Sequence, residues 1–251
     1  MSGSKSVQPP PHAAFPEEHL RRALQATGPR ARLREAEAGL AFEPEELAPD
    51  TQVLLLRQAY LAHVELHQLR RAVEIADAMV AIGPLEDFAY TDKARALHAL
   101  GELRPAIDAQ RLAARNAPAN RRSFHLWSLA TLQHFAGDVD GAEASLLRGL
   151  RIAKRDRPLL EAHLAYVQLD AGRAVEDLQA IRDELAASPN GEGYGQYLLG
   201  MIAWTLGDRP RAAVHLRAFL RRNASVDEAK RLTIREELRR ARVALASIES
   251  D

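Results

Sequence analysis

The sequence predicts an all-α protein built as a solenoid of repeated helix pairs, and three observations support this prediction. Ala, Leu, Arg and Glu dominate the composition, a mixture that favours helices over strands. Segments with apolar residues at i, i+3, i+4 and i+7 alternate with Gly and Pro breaks, and none has the alternation of an amphipathic strand. The breaks also recur at a nearly constant interval, as they do in arrays of stacked helix pairs.

The interval between equivalent residues is 34 to 36. Ala72 and Ala106 are 34 residues apart, as are Pro84 and Pro118. The glycine breaks give intervals of 36, 35 and 35 residues, between Gly101, Gly137, Gly172 and Gly207. A single helix pair cannot bury its apolar face, so we expect neighbouring pairs to stack around one continuous core.

The segments before Ser225 follow a simple order. Residues 1–14 are rich in Ser, Gly and Pro, which predicts a disordered tail. Pro16 with the acids after it predicts the start of the first helix, because Pro is tolerated in a first turn and acids favour the positive end of the helix dipole. From there, residues 15–224 predict about six helix pairs.

Residues 225–251 differ from the repeats. Ser225 and Glu228 have the spacing of a capping box, and an apolar stripe from Ile234 to Ile248 follows. We expect one long helix that caps the last repeat, since a terminal unit needs a polar outer face. The alternative is that the stripe forms the seam of a weak homodimer; otherwise the protein is a monomer.

Small residues, glycines and prolines mark the units. Residues 87–118 fit best, with Leu97, Gly101, Ala106, Ala113 and Pro118 at the expected places. This pattern resembles the tetratricopeptide repeat (TPR) family over about four-fifths of the chain. The resemblance implies a right-handed superhelix. The sequence departs from the family at Lys154, where Pro is usual, and at Asp177, where a tightly packed Ala is usual.

The TPR resemblance also implies a concave groove lined by set positions of each first helix. Seven of the 13 aromatic residues (two Trp, five Tyr and six Phe) map to those positions. Aromatic side chains and Met suit a partner with apolar side chains. We therefore expect a peptide-binding groove that exposes Phe88, Arg95, His98, Phe124, Trp127, His134, Tyr166, Tyr194, Tyr197, Met201 and Trp204.

These features favour a non-catalytic adaptor or scaffold that binds a protein or peptide. TPR modules that bind chaperone C-termini use Lys and Asn where this chain has, for example, Arg57 and Leu61, so we do not expect a chaperone-tail receptor. The alternative is an accessory subunit that presents a peptide substrate to a separate enzyme.

His98 and His134 share a repeat position, and a paired role for them is a further possibility.

The sequence offers little for catalysis or for a cofactor. It lacks the nucleophile-elbow, phosphate-loop, dinucleotide and zinc-protease motifs, and it has no Cys. We therefore predict neither an enzyme nor a cofactor. His63 and His67 stand one helical turn apart and could ligate a metal, but no third ligand is indicated, so we expect ordinary packing and no metal site.

The charge distribution disfavours nucleic acid. Lys plus Arg and Asp plus Glu are both 34, whereas nucleic-acid binders usually carry a basic excess. RNA binding stays an alternative because similar arrays read single strands. Arg148, Arg151 and Arg155 predict a basic stripe on one outer helix, which we interpret as a solvated face.

No segment predicts a secretion signal or a membrane span, so we expect a cytoplasmic protein. The preference for Arg over Lys suggests a bacterial source.

Overall fold

A computed structural model describes residues 15–250 and contains only helices and their connections within that range. The predicted disordered tail at 1–14 lies outside the described residues. Two short 3-10 turns, at Pro44–Glu46 and Pro189–Glu192, interrupt the α-helical array. The α-helices are α1 (Pro16–Gln25), α2 (Pro29–Leu40), α3 (Pro49–Glu65), α4 (Leu69–Ile82), α5 (Glu86–Ala99), α6 (Leu103–Asn116), α7 (Ala119–Phe135), α8 (Val139–Leu150), α9 (Arg157–Asp170), α10 (Leu178–Ala187), α11 (Tyr194–Thr205), α12 (Arg209–Arg222), α13 (Glu228–Thr233) and α14 (Arg235–Glu249).

The helices from α1 to α12 pack mainly on their neighbours in sequence. Most of them bury a stripe of apolar residues, such as Ala72, Ala76 and Met79 on α4. The Ala106 and Ala142 positions, which the repeat pattern predicts to be tightly packed, are fully buried in α6 and α8. The prediction of an all-α repeat architecture is confirmed.

A recurring turn sets the interval of the array. Gly101 has φ +83°, its N–H donates to His98 O over 2.9 Å, and the next N–H donates to Leu97 O over 2.9 Å. This left-handed ending of a helix favours Gly. Equivalent turns occur one interval apart, at His67, Gly137, Gly172 and Gly207. His67 is the exception, because it adopts φ +58° despite its side chain.

The fourth predicted unit is irregular where the sequence departs from the pattern. Asp177 adopts a left-handed conformation with φ +51° and precedes α10. α10 has ten residues, and only Leu185 among them is buried. Because α10, the second helix of this unit, is short and contributes only one buried side chain, α9 packs directly on α11.

The C-terminal segment does more than cap the array. Two helices replace the predicted single one, because the backbone breaks at Ile234 with φ −110° and ψ 22°. Ser225 was predicted to be the N-cap, and this is wrong: Asp227 accepts the capping hydrogen bond from Lys230 N over 2.8 Å. α14 packs on α11 and α12, whereas α13 contacts α3 and α5, far away in sequence.

Candidate functional site

The C-terminal segment lies on one face of the array, which we call the inner face. It consists of the sides of α3, α5, α7, α9 and α11 that line the cavities and cores beneath α13 and α14. We call the part formed by α9 and α11 the α14 half, and the part formed by α3, α5 and α7 the α13 half. Ten of the eleven predicted groove residues lie along these two halves, and Trp204 lies at the end of α11.

The α14 half is a hydrophobic core. Tyr166 and Tyr197 are each 1% exposed, and Met201 is 3% exposed. They share a cluster with Leu238 and Ala241 of α14. The predicted exposure of Tyr166, Tyr197 and Met201 is therefore wrong, because α14 covers them as the next layer of the fold.

Glu237 of α14 is a buried acid at the boundary between the halves. Its side chain accepts a hydrogen bond from Tyr194 OH over 3.1 Å, and its Oε2 has no hydrogen-bond partner among the described residues. Burial raises the pKa of Glu237 to about 7. The ring of half-buried Tyr194 packs edge-on against Trp127, with centroids 4.8 Å apart.

The two predicted groove histidines both stack on Phe135, and the ring centroid of His134 lies 6.3 Å from that of Phe135. His134 is 4% exposed, so its predicted exposure is also wrong, and its Nε2 lies 3.0 Å from Asp170 Oδ2. His98 is half-buried and stacks on Phe135, with ring centroids 6.0 Å apart. A paired role for His98 and His134 stays a prediction.

A small aromatic cavity opens in the α13 half. Its volume is about 110 Å³, and its lining includes Phe124, Trp127, Phe135, Tyr194 and Glu237. Phe124 is 41% exposed, and its ring lies 5.7 Å from that of Trp127. Since cavities of roughly 150 Å³ accept benzene, this one has room for about one apolar side chain.

A charged network lies beside this cavity. Arg57 Nε and Arg95 Nη1 donate to the carboxylate of Asp92, over 3.0 and 3.2 Å. Arg95 lines the aromatic cavity, and Asp92 is 1% exposed. Two guanidinium groups on one buried carboxylate leave this part of the face with a positive charge.

A second buried carboxylate orders the neighbouring helix. Arg121 donates to both oxygens of Asp87 over 2.8 and 2.9 Å, and His125 Nε2 lies 3.0 Å from Asp87 Oδ2. These contacts hold the pKa of Asp87 below its usual value against the effect of burial. Phe88 lies under the guanidinium groups of Arg57 and Arg121, 5.4 and 4.6 Å from its ring centre.

Sequence reasoning missed these pairs, although a signal for them exists. Arg57 and Asp92 are 35 residues apart, and Asp87 and Arg121 are 34 apart. Opposite charges one repeat apart face each other on stacked first helices, so that spacing identifies the network.

A larger cavity lies under α13. It has a volume of about 390 Å³ and is lined by α3 and α5 on one side and by α13 on the other. Arg57, Arg95 and Asp92 lie along it, together with Leu61 and Val64. Of the two cavities on the inner face, this one has the larger volume.

The other residues noted in the sequence lie outside these cavities. His63 is buried, and its Nδ1 lies 2.6 Å from Gln68 Oε1. Within residues 15–250, no three His, Asp or Glu side chains are grouped as metal ligands. Arg148, Arg151 and Arg155 are exposed but do not form one stripe, because α8 ends at Leu150.

Trp204 is 37% exposed and donates from Nε1 to Ser247 Oγ over 3.2 Å. It therefore belongs to the contact between α11 and α14. Among the described residues, no helix is both long and apolar enough to cross a bilayer.

No protein-family model matches the chain, and no curated protein is significantly similar to it. The resemblance to TPR proteins therefore depends on the residues and their spacing alone.

Proposed function

We propose that this protein is a non-catalytic adaptor or scaffold, a right-handed TPR-like solenoid that binds a protein or peptide on its inner face. The observation that carries the proposal is the aromatic cavity of the α13 half. It combines an exposed Phe124 with a half-buried Trp127, and such aromatic side chains beside a pocket are the usual energetic centres of protein interfaces.

The geometry supports one anchoring side chain from the partner. A Leu, Met or Ile inserted between Phe124, Trp127 and Phe135 would lose its hydration there. The adjacent Arg95 offers hydrogen bonds to the backbone or to an acid of the same segment. Burying one such side chain contributes about 1.5–3 kcal/mol, so the remaining affinity must come from contacts along the face.

Selection from a displayed peptide library tests the proposal. Peptides selected on the full chain are measured by calorimetry against Phe124→Ala. Loss of about 2 kcal/mol, or roughly thirtyfold in Kd, is expected. Leu147→Ala is the matched control, because Leu147 is 49% exposed on α8, away from the inner face. Equal affinity of both variants and the wild type for every selected peptide would disprove this location.

A further inference from the structure

α13 is a poorly packed cover. None of its six residues is buried, and only Ala229 and Leu232 pack, partly buried, on the cluster of α2 to α5. The cavity of about 390 Å³ lies directly beneath them. This cavity is partly open to solvent, so α13 leaves much of the surface that it spans without contact.

The polar attachment of α13 is also weak. Within residues 15–250, one contact between ionisable side chains joins α13 to the array: His67 Nε2 lies 3.6 Å from Glu228 Oε1, and the two form an ion pair only when the imidazole is protonated. The His67 side chain is 63% exposed, and exposed pairs contribute about 1 kcal/mol or less. Asp227 caps α13 itself and does not attach it to α3 or α5.

The boundaries of α13 allow it to move separately from α14. The break at Ile234 separates α13 from α14, which buries Leu238, Ala241 and Leu245. Arg95, Thr233 and Ile234 line both inner-face cavities. Movement of α13 away from α3 would therefore join the two cavities into one groove along α3, α5 and α7.

The surface beneath α13 has a definite chemistry. Its apolar part is formed by Tyr60, Leu61 and Val64. Its charged part has Arg57 and Arg95 sharing the single carboxylate of Asp92, which leaves a net positive charge. At the edge of this surface, the carboxylate of Glu228 lies 3.6 Å from His67 Nε2, so an acidic side chain is accommodated there.

We propose that α13 is displaced by an acidic amphipathic helix of a partner protein, which packs bulky apolar residues on α3 and α5 in its place. This deepens the proposed function and rests on it. The entering helix presents Leu, Met or Phe to the space that Ala229 and Leu232 fill poorly, and a carboxylate to Arg57 and Arg95. Helices recognised in grooves present their anchors at such i, i+3 spacings.

A covalent lock on α13 tests the proposal in the full-length protein. The chain has no Cys, so His67→Cys with Glu228→Cys supplies the only thiols, and a short bis-maleimide bridges them. The probe is a fluorescent peptide of residues 225–240 that carries Ala229→Leu, Lys230→Glu, Arg231→Glu and Thr233→Leu, so that it has six acidic and three basic residues. The same peptide with Leu at 229 and 232 replaced by Asn is the control probe.

The unbridged double variant should bind the probe at least tenfold more tightly than the bridged protein. Leu232→Ala in the full chain loosens the cover and should tighten probe binding severalfold. Fluorescence anisotropy measures both, and circular dichroism checks that each protein is folded. Equal affinity for bridged and unbridged protein, or no binding by either, overturns the displacement of α13.

The outcomes separate this inference from the proposed function. Library-selected peptides that depend on Phe124 and still bind the bridged protein would support the aromatic cavity and refute displacement of α13. A probe that bridging blocks but Phe124→Ala does not affect would support displacement and move the interface away from that cavity.

Discussion

The two halves of the inner face have similar aromatic sequences and opposite packing. In the α14 half, Tyr166 and Tyr197 are sealed under a helix that buries its own apolar stripe. In the α13 half, Phe124 stays exposed and two cavities lie open. The difference teaches that a repeat position does not decide whether a side chain is core or binding surface; the segment that folds back on it does.

Truncation of an aromatic residue in each half should give the largest contrast. Tyr197→Ala should lower the free energy of unfolding by roughly 3–5 kcal/mol, the usual cost of deleting a buried aromatic side chain. Phe124→Ala should cost less, about 1 kcal/mol, because the side chain is already 41% exposed. Urea denaturation measures both. Equal costs would mean that the two halves are packed alike.

Glu237 at the boundary should make stability depend on pH. Burial raises its pKa from 4.5 to about 7 in the folded protein, with Tyr194, Glu236 and Arg240 as its polar neighbours. Its contribution is fully present below pH 4.5 and is lost as the pH rises through 7. Glu237→Gln should therefore gain stability relative to wild type across that window, by roughly 3 kcal/mol.

Glu236→Gln is the matched control, and its effect should have the opposite sign. Hydrogen bonds from Arg239 and Arg240 lower the pKa of Glu236 to about 2. Its contribution is present above pH 4.5 and is lost as the pH falls towards 2. Its removal should cost under about 1 kcal/mol at neutral pH, since the side chain is partly exposed. Thermal unfolding from pH 4 to 8 distinguishes the two variants, and parallel profiles would contradict the buried site.

The smallest effect is expected at the turn beside α13. His67 occupies the left-handed position that Gly occupies in the four later turns. His67→Gly should stabilise the α3–α4 turn by roughly 1 kcal/mol. The loss of the exposed contact between His67 and Glu228 reduces this gain by a small amount. Gly101→Ala, at the equivalent turn, should destabilise by a similar amount. Calorimetric Tm values for the two variants provide the comparison, and shifts of the same sign would contradict it.

Local features of the sequence were predictable from the chain alone. The helices, the intervals and the glycine turns depend on contacts within a few residues. The periodicity of apolar residues and the recurring glycines, such as Gly101, therefore identify them. The irregular fourth unit was also visible, since Asp177 cannot pack where a small Ala belongs. The exact cap was not predictable, because Ser225 and Asp227 both precede a helical pattern and only packing chooses between them.

The burial of Tyr166, Tyr197 and Met201 could not be read from the repeats. It depends on α14 returning to α11 from the far end of the sequence. The Asp87 and Asp92 pairs likewise form between successive units, so they become visible only when residues one interval apart are compared. Whether Phe124 and Trp127 bind a partner remains a prediction.

The contact of α13 with α3 and α5 also has a consequence for cooperativity. A linear array can fray from either end, because each unit contacts only its neighbours. Here Ala229 and Leu232 pack on a cluster that includes α3 and α5, roughly 130 to 180 residues earlier in the chain, so the last helices contact an early unit. Closing that loop is slow because its entropy is lost before any contact forms. We therefore expect the contact of α13 with α3 to form late in folding, and it links an early unit to the last one outside the row of stacked helices.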